Sequence, residues 1–316
     1  MYPCCTRRRF LAQSAAATGA VALGSRPLLA APVPLGDKPA EMTIARWTGA
    51  KDPAPAQIKE IAVKLTEQAI AGLGGLKRFV KQQDVVWVKP NIAWGRTPEL
   101  AANTNPDVVA TIVRLCLEAG AKTVKVGDNP CNTAKLTYEN SGIAAAARDA
   151  GAKVVFLDTT RFRKVDIKGE QVKLLPLYPE IIEADLVINV PVVKHHVLAK
   201  ATLCMKNYMG VMDDRQKFHQ DIAACVADLT RYMQPRLCIV DAVRALMAHG
   251  PRGGKLEDVK TLLTVAAGVD IVALDAFGAE LMGKQPQEIG TIVAGEKAGL
   301  GKADYRRSAL RELSVS

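Results

Sequence analysis

Short, almost continuously apolar runs alternate along this chain with segments whose apolar residues have helical spacing. The runs at 84–88, 123–126 and 185–190 have the length and composition of buried strands, and residues 105–120 have those of a helix. Strands that are apolar on both faces are typical of parallel sheets covered by helices on each side. The alternation therefore predicts an α/β fold, with a mostly parallel, doubly wound sheet, helices on both faces and a small hairpin excursion near residues 160–176.

Residues 1–30 contain the features of a twin-arginine export signal in their usual order. Three arginines at 7–9 precede a segment of small and apolar residues, and Ala30 offers a cleavage point. A basic, disordered tail is the alternative interpretation. Export predicts a periplasmic or other extracytoplasmic location, with the twin-arginine translocase as a partner during export. No later run is long and apolar enough to cross a bilayer, so we expect no transmembrane segment after signal removal.

The length of the chain, 316 residues, suits one large α/β domain once the signal and a proline-rich stretch are set aside. We therefore divide the chain into a signal peptide (1–30), a linker (31–42), a single domain (43–301) and a C-terminal tail (302–316).

The charge balance points to a small ligand. The formal net charge is +10, but the basic residues are scattered and form no stripe with interleaved aromatic side chains. Nucleic-acid binding is therefore not expected. A modest excess of positive charge fits a small anionic ligand.

The cysteines do not encode a local metal cluster. Two of the seven cysteines, Cys4 and Cys5, lie in the predicted signal, and the others form no C-x-x-C pair. Neither a ferredoxin-type motif nor a zinc knuckle is therefore present. Cys131 and Cys204 lie near candidate site loops, so a cluster held by dispersed cysteines stays open as an alternative.

Polar residues follow several of the predicted strands. Lys89, Asn91, Asp128 and Asp241 all fall just after apolar runs. In open α/β sheets, ligands bind beyond the carboxyl ends of the strands, so we expect these residues to meet around one cleft. Asp and Asn also start turns and cap helices, which is the alternative for those residue types. Neither a turn nor a helix cap requires a lysine, so this alternative does not account for Lys89.

The segment 194–219 concentrates polar chemistry after a predicted strand. It contains three of the four histidines together with Lys194, Lys206 and Asn207. We predict that these two lysines, together with Lys89, bind an anion. Lys206 and Asn207 stand in an otherwise apolar stretch, which favours a functional lysine there; solvated surface charge is the alternative. A later loop with Gly250 and Gly254 either brings its backbone close to the ligand or is simply flexible.

The histidines allow two interpretations. His195, His196 and His219, with Asp213 or Asp214, have the donor types that suit iron, nickel or zinc, and the metal is left open among these. Adjacent histidines on an extended segment point in opposite directions, so only one of this pair is expected to face the cleft and to act with His219 as a metal ligand. Acid–base catalysis by His196, His219 and Lys206 is the other interpretation, and surface histidines are the third.

The chain resembles the family known as domain of unknown function 362. The resemblance covers about residues 43–301 and rests on motifs in family order: Lys89-Pro90-Asn91, Val126-Gly127-Asp128, Lys194-His195-His196, Leu203 to Gly210, Val240-Asp241 and His249-Gly250-Pro251. It implies that His196 is the motif histidine. Relatives are often described as iron–sulfur centre proteins, and many carry a ferredoxin-like module that this chain lacks. The resemblance implies no settled reaction.

Two functional hypotheses follow. The first is an exported α/β protein with an enzyme-like cleft for a small anionic ligand, either metal-assisted or redox-linked. The second is a non-catalytic periplasmic binding protein, or an accessory protein of a redox system. The sequence leaves open whether the protein is an enzyme.

Overall fold

The structure is a computed structural model that describes residues 39–316, apart from the side chain of His219. The predicted signal peptide and residues 31–38 of the predicted linker lie outside these residues. Within the described range, no helix combines the length and the apolar character needed to cross a bilayer.

Most of the strands form one large sheet. In chain order the strands of the described residues are β1 (Met42–Trp47), β2 (Val85–Pro90), β3 (Thr123–Val126), β4 (Lys153–Val154), β5 (Arg163–Asp166), β6 (Leu174–Leu177), β7 (Leu186–Val190), β8 (Val192–His196), β9 (Lys200–Thr202), β10 (Leu237–Leu246), β11 (Val259–Gly268) and β12 (Leu310–Val315). The sheet runs β12-β1-β11-β10-β7-β2-β3-β4; β8 also pairs with β10, and β9 pairs with β8.

The pairing in this sheet is mostly parallel. β10, β7, β2, β3 and β4 pair in parallel, as do β1 and β12, whereas β11 is antiparallel to both of its neighbours. β5 and β6 form a separate antiparallel hairpin, as predicted near residues 160–176. The predicted α/β class and mostly parallel sheet are confirmed.

Helices cover both faces of the sheet. They are α1 (Pro55–Gly72), α2 (Pro106–Glu118), α3 (Ala134–Asn140), α4 (Ile143–Asp149), α5 (Pro179–Ile182), α6 (Cys204–Asn207), α7 (Ile222–Met233), α8 (Ile271–Leu281) and α9 (Gly290–Lys297). Apolar side chains of α1, α2 and α4 pack on one face, and those of α6 to α9 pack on the other. The two apolar layers hold the central strands buried on both sides, which explains why those strands lack polar alternation.

Local signals account for several helix boundaries. Asn105 caps α2 by accepting a hydrogen bond from the Asp107 N–H at 2.8 Å, and Pro106 occupies the first turn, where its missing N–H costs nothing. Asp270 caps α8 in the same way. Residues 271–274, whose apolar run suggests a strand, therefore form the first turn of α8.

The chain after the predicted domain end belongs to the sheet. The expected tail at 302–316 includes β12, which lies parallel to β1 at the sheet edge. The apolar side chains of Leu310 and Val315 are buried there. The α/β unit therefore extends to the last residues of the chain.

Candidate functional site

A cavity of about 290 Å³ lies at the carboxyl ends of β2, β3 and β8, the place where open α/β sheets bind ligands. The lining residues are Lys89, Asn91, Ala93, Trp94, Asp128, Asn129, Cys131, Lys194, His196, Leu198, Thr202, Lys206, Asn207, Met209, Gly210, Arg215, Ile222 and Pro251. The structure thus brings together seven of the predicted site residues: Lys89, Asn91, Asp128, Lys194, His196, Lys206 and Asn207.

A buried ion pair forms part of the cavity floor. The Lys89 ammonium lies 2.7 Å from Asp128 Oδ1 and also donates to Pro90 O at 3.0 Å. Burial lowers the pKa of Lys89, although Asp128 opposes this shift. The second oxygen of Asp128 accepts the backbone N–H of Ile92 at 2.7 Å. The charge of Lys89 is therefore already balanced by protein.

Lys194 donates to the first of three buried asparagine side chains that are hydrogen-bonded in series. Its ammonium donates to Asn91 Oδ1 at 2.8 Å and to Ala102 O at 2.6 Å. Asn91 donates to Asn207 at 2.9 Å, and Asn207 donates to Asn189 at 2.8 Å. These bonds join residues from four separate segments, so the network fixes their relative positions and gives the polar floor one arrangement.

Lys194 has no carboxylate partner among the described residues. Burial, together with the nearby Lys206 and Lys89 charges, lowers its pKa to about 7.

Lys206 lies on α6, a short helix whose entry is held by a buried carboxylate. The first N–H groups of α6, from Cys204 and Met205, donate to Asp275. Burial raises the pKa of Asp275 to about 7. Within residues 39–316, the Lys206 ammonium has neither a hydrogen-bond acceptor nor a carboxylate partner. Burial, with the nearby Arg215 charge, lowers the pKa of Lys206 to about 8.

Arg215 brings a second cation to the same wall. Its guanidinium donates to Met209 O at 3.1 Å and to Asn129 O, which holds it against the loop after β3. It also donates to Cys131 Sγ at 3.1 Å. No carboxylate of the described chain forms an ion pair with Arg215. The cavity therefore gathers more positive than negative charge.

The two adjacent histidines do point to different places, as expected for an extended segment. His196 lines the cavity, and its Nδ1 accepts the Ala199 N–H at 3.1 Å. Because Nδ1 accepts this bond, the neutral ring carries its proton on Nε2. His195 Nδ1 instead accepts the Gly250 N–H at 3.1 Å. The side chain of His219 lies outside the described part of the structure.

The described residues do not build a metal centre. No group of three or more His, Cys, Asp or Glu side chains within them is placed to hold an ion. Cys131 is exposed at the cavity, whereas Cys204 is buried beside Cys238 and Asp275, and burial raises its pKa. A metal bound by His196 and His219, or a cluster bound by Cys131 and Cys204, would therefore find no further ligands among the described residues.

Three predicted ligand-binding residues lie away from the cavity lining. Asp241 does not end a strand, because β10 continues through it to Leu246. Its carboxylate accepts the N–H groups of Asn105 at 2.7 Å and Val243 at 3.0 Å. Burial raises the pKa of Asp241 to about 6. Asp241 thus ties the entry of α2 to the sheet and is a structural residue.

The two glycines of the later loop serve backbone geometry. A Cβ at Gly250 would collide with the carbonyl oxygen of His195, so this position lets the loop pack against β8. Gly254 has φ +141°, a conformation that residues with a Cβ rarely adopt. The loop meets the cavity through Pro251.

Several lining residues escape sequence reasoning. Arg215 lies in a run of mixed charges that resembles a solvated loop, and nothing in that run marks it as a site residue. Thr202 follows the β8–β9 turn, and its buried hydroxyl lacks a hydrogen-bond partner among the described residues. Gly210 ends the motif Leu203 to Gly210 that contains Lys206, so its position at the site could be predicted from the sequence.

The fold and the cavity together define an α/β protein with a cationic pocket at the ends of its parallel strands. The family model for the domain of unknown function DUF362 matches residues 86–280. The chain belongs to this family, which confirms the resemblance seen in the motifs.

The chain is also similar to two individual proteins. A thylakoid-associated protein of Synechocystis is 30% identical over 238 residues, which cover 72% of each chain. A crystal structure of a Thermotoga maritima protein has a TM-score of 0.34 and 14% identity, and the match covers 79% of this chain and 59% of that one.

Proposed function

We propose that the protein binds a small anionic ligand in this cavity, with Lys206 and Arg215 as the groups that contact the anion. The observation that carries the proposal is the Lys206 ammonium, which lines the cavity without a partner among the described residues. A cation removed from water loses hydration energy, and an unpaired one regains little of it from the protein. A bound anion would supply the missing interaction.

The floor of the cavity strengthens this preference. Lys194 adds a partly charged ammonium, and its amide network holds that group in place. Asp128 is the carboxylate that lines the cavity, and it is already engaged by Lys89 and by a backbone N–H. An anion entering the cavity therefore meets unbalanced positive charge.

A change of Lys206 to Met tests the proposal directly. We expect the dissociation constants of acetate and of inorganic phosphate, measured by calorimetry, to rise by about 10- to 100-fold, since a charge-assisted hydrogen bond contributes about 1.5–3 kcal/mol. The free energy of unfolding should rise slightly, because the variant no longer holds an unpaired, half-buried ammonium.

The matched control is Lys164→Met on the exposed hairpin strand β5. It removes the same charge outside the cavity and should leave both dissociation constants unchanged. Equal affinities of the Lys206→Met variant and the unaltered protein would count decisively against the proposed site.

We also propose that the protein acts outside the cytoplasm. The support is the arginine run at 7–9 with its following apolar segment and Ala30. Replacing Arg7 and Arg8 by Lys should retain the chain in the cytoplasm of a cell with an active twin-arginine translocase. Unchanged export, measured by cell fractionation, would contradict this location.

A further inference from the structure

We propose that the ligand is an amphipathic anion: a carboxylate or phosphate head that meets Lys206 and Arg215, joined to an apolar body that lies along the cavity rim. This inference rests on the proposed anion site and adds the class of molecule that the site accepts.

The cavity has a polar floor and an apolar rim. Lys89 and Lys194 are 0% and 1% exposed, and Asn207 is equally buried. The side chains nearer to solvent include Trp94 and Ile222, which are half-buried. Apolar side chains therefore form one part of the rim, next to the half-buried Lys206 and Arg215.

Leu198 is the most exposed of these apolar residues. It sits in the turn between β8 and β9 and lines the cavity, yet 66% of its surface is open to water, and that of its neighbour Val197 is 71% open. The turn projects from two paired strands, so its position is set by the sheet. Large apolar side chains held beside a binding cavity gain free energy when a ligand covers them.

The size of the cavity argues in the same direction. A volume of about 290 Å³ is several times larger than one carboxylate or phosphate group. A carboxylate or phosphate group bound at Lys206 would leave the apolar side chains of Trp94, Leu198 and Ile222 exposed to water. A ligand with an apolar body fills the remaining space and covers this wall, as is usual in small-molecule sites.

The test is a series of straight-chain carboxylates from acetate to octanoate, titrated into the full-length chain. We expect the dissociation constant to fall by about two- to four-fold for each added methylene until the wall is covered. The neutral alcohol hexanol should bind more weakly than hexanoate, because it lacks the charged head.

Two variants separate the head from the body. Leu198→Ser should reduce the gain per methylene while leaving acetate binding unchanged, and its exposed position predicts an unchanged melting temperature. Lys206→Met should instead weaken every carboxylate by a similar factor and keep the gain per methylene. Lys164→Met should match the unaltered protein throughout.

The outcomes distinguish this inference from the proposed function. Acetate binding that is lost in Lys206→Met, with no gain on lengthening the chain, overturns the amphipathic ligand and keeps the anion site. A gain per methylene that Leu198→Ser leaves unaltered overturns the placement of the apolar body at the rim. Absence of any carboxylate or phosphate binding overturns both proposals.

Discussion

The Lys89 ammonium lies 2.7 Å from Asp128 Oδ1, and the two side chains are almost completely buried. The pair joins the end of β2 to the loop after β3. Gly210 packs directly against it, since a Cβ at this position would overlap Asp128 and lie 2.6 Å from Lys89 Nζ. The ion pair therefore locks three segments of the cavity floor together.

Asp128→Asn should destabilise the fold by about 3–5 kcal/mol, because it leaves the buried Lys89 charge without compensation. Chemical denaturation gives this free energy. The Asn side chain has nearly the same shape and still offers an oxygen to the Ile92 N–H. The loss is therefore attributable to charge.

The double variant Lys89→Met, Asp128→Asn provides the matched control. It removes the buried charge and its partner together, so we expect it to recover much of the stability lost in Asp128→Asn. A double variant as unstable as Asp128→Asn would show that shape at Asp128, and not the ion pair, holds this part of the floor.

Anion affinity should depend on pH through two lysines. In the free protein the pKa values of Lys206 and Lys194 are about 8 and about 7, both lowered first of all by burial. A bound anion favours the protonated forms and raises both values, so binding takes up protons. Affinity is therefore highest below about pH 7 and falls as the pH rises through about 8.

Acetate is a suitable probe for this dependence, because its charge is constant between about pH 6 and about pH 9. Calorimetry in two buffers of different ionisation enthalpy reports the protons taken up at pH 8. Lys206→Met should reduce this uptake. A dissociation constant that is level across the range would contradict the assigned role of the two lysines.

Lysines are the part of this site that the sequence predicts best. Lys89 and Lys206 stand in sequence contexts where neither a turn nor a helix cap requires a lysine, and the structure brings them into one cavity with Lys194 and His196. The strand pattern predicts this meeting, because β7, β2 and β3 are parallel neighbours whose carboxyl ends share one edge.

Aspartates are predicted less well, for a physical reason. An Asp after an apolar run looks the same whether the strand stops there or continues. At Asp241 the strand continues through a register shift between Ala242 and Arg244, and the carboxylate serves backbone N–H groups. Arg215 is missed because its role depends on carbonyls of Asn129 and Met209, which only the folded loops bring within reach.

Asp241→Ala tests the structural role assigned to this residue. The change leaves the buried N–H groups of Asn105 and Val243 without their acceptor, so we expect a loss of about 2–3 kcal/mol in unfolding free energy. The affinity of the folded variant for acetate should stay the same. A large loss of affinity without a loss of stability would show instead that Asp241 takes part in ligand binding.

Cys131 offers a chemical reporter of the cavity's charge. It is the exposed member of the five described cysteines, and its sulfur accepts a hydrogen bond from Arg215 at 3.1 Å. Neighbouring cations attract anions. We therefore expect the ratio of the alkylation rates with anionic iodoacetate and neutral iodoacetamide to be higher at Cys131 than at a free thiol, by roughly ten-fold at low ionic strength.

Peptide mapping by mass spectrometry measures this preference at Cys131 separately from the other cysteines. The ratio of the two rates should fall with added salt, because screening weakens the attraction between the cavity and the reagent. Lys206→Met should lower it as well, whereas Lys164→Met should not. A ratio at Cys131 equal to that of a free thiol at low salt would mean that the cavity does not concentrate anions, and the proposed ligand class would then lose its electrostatic basis.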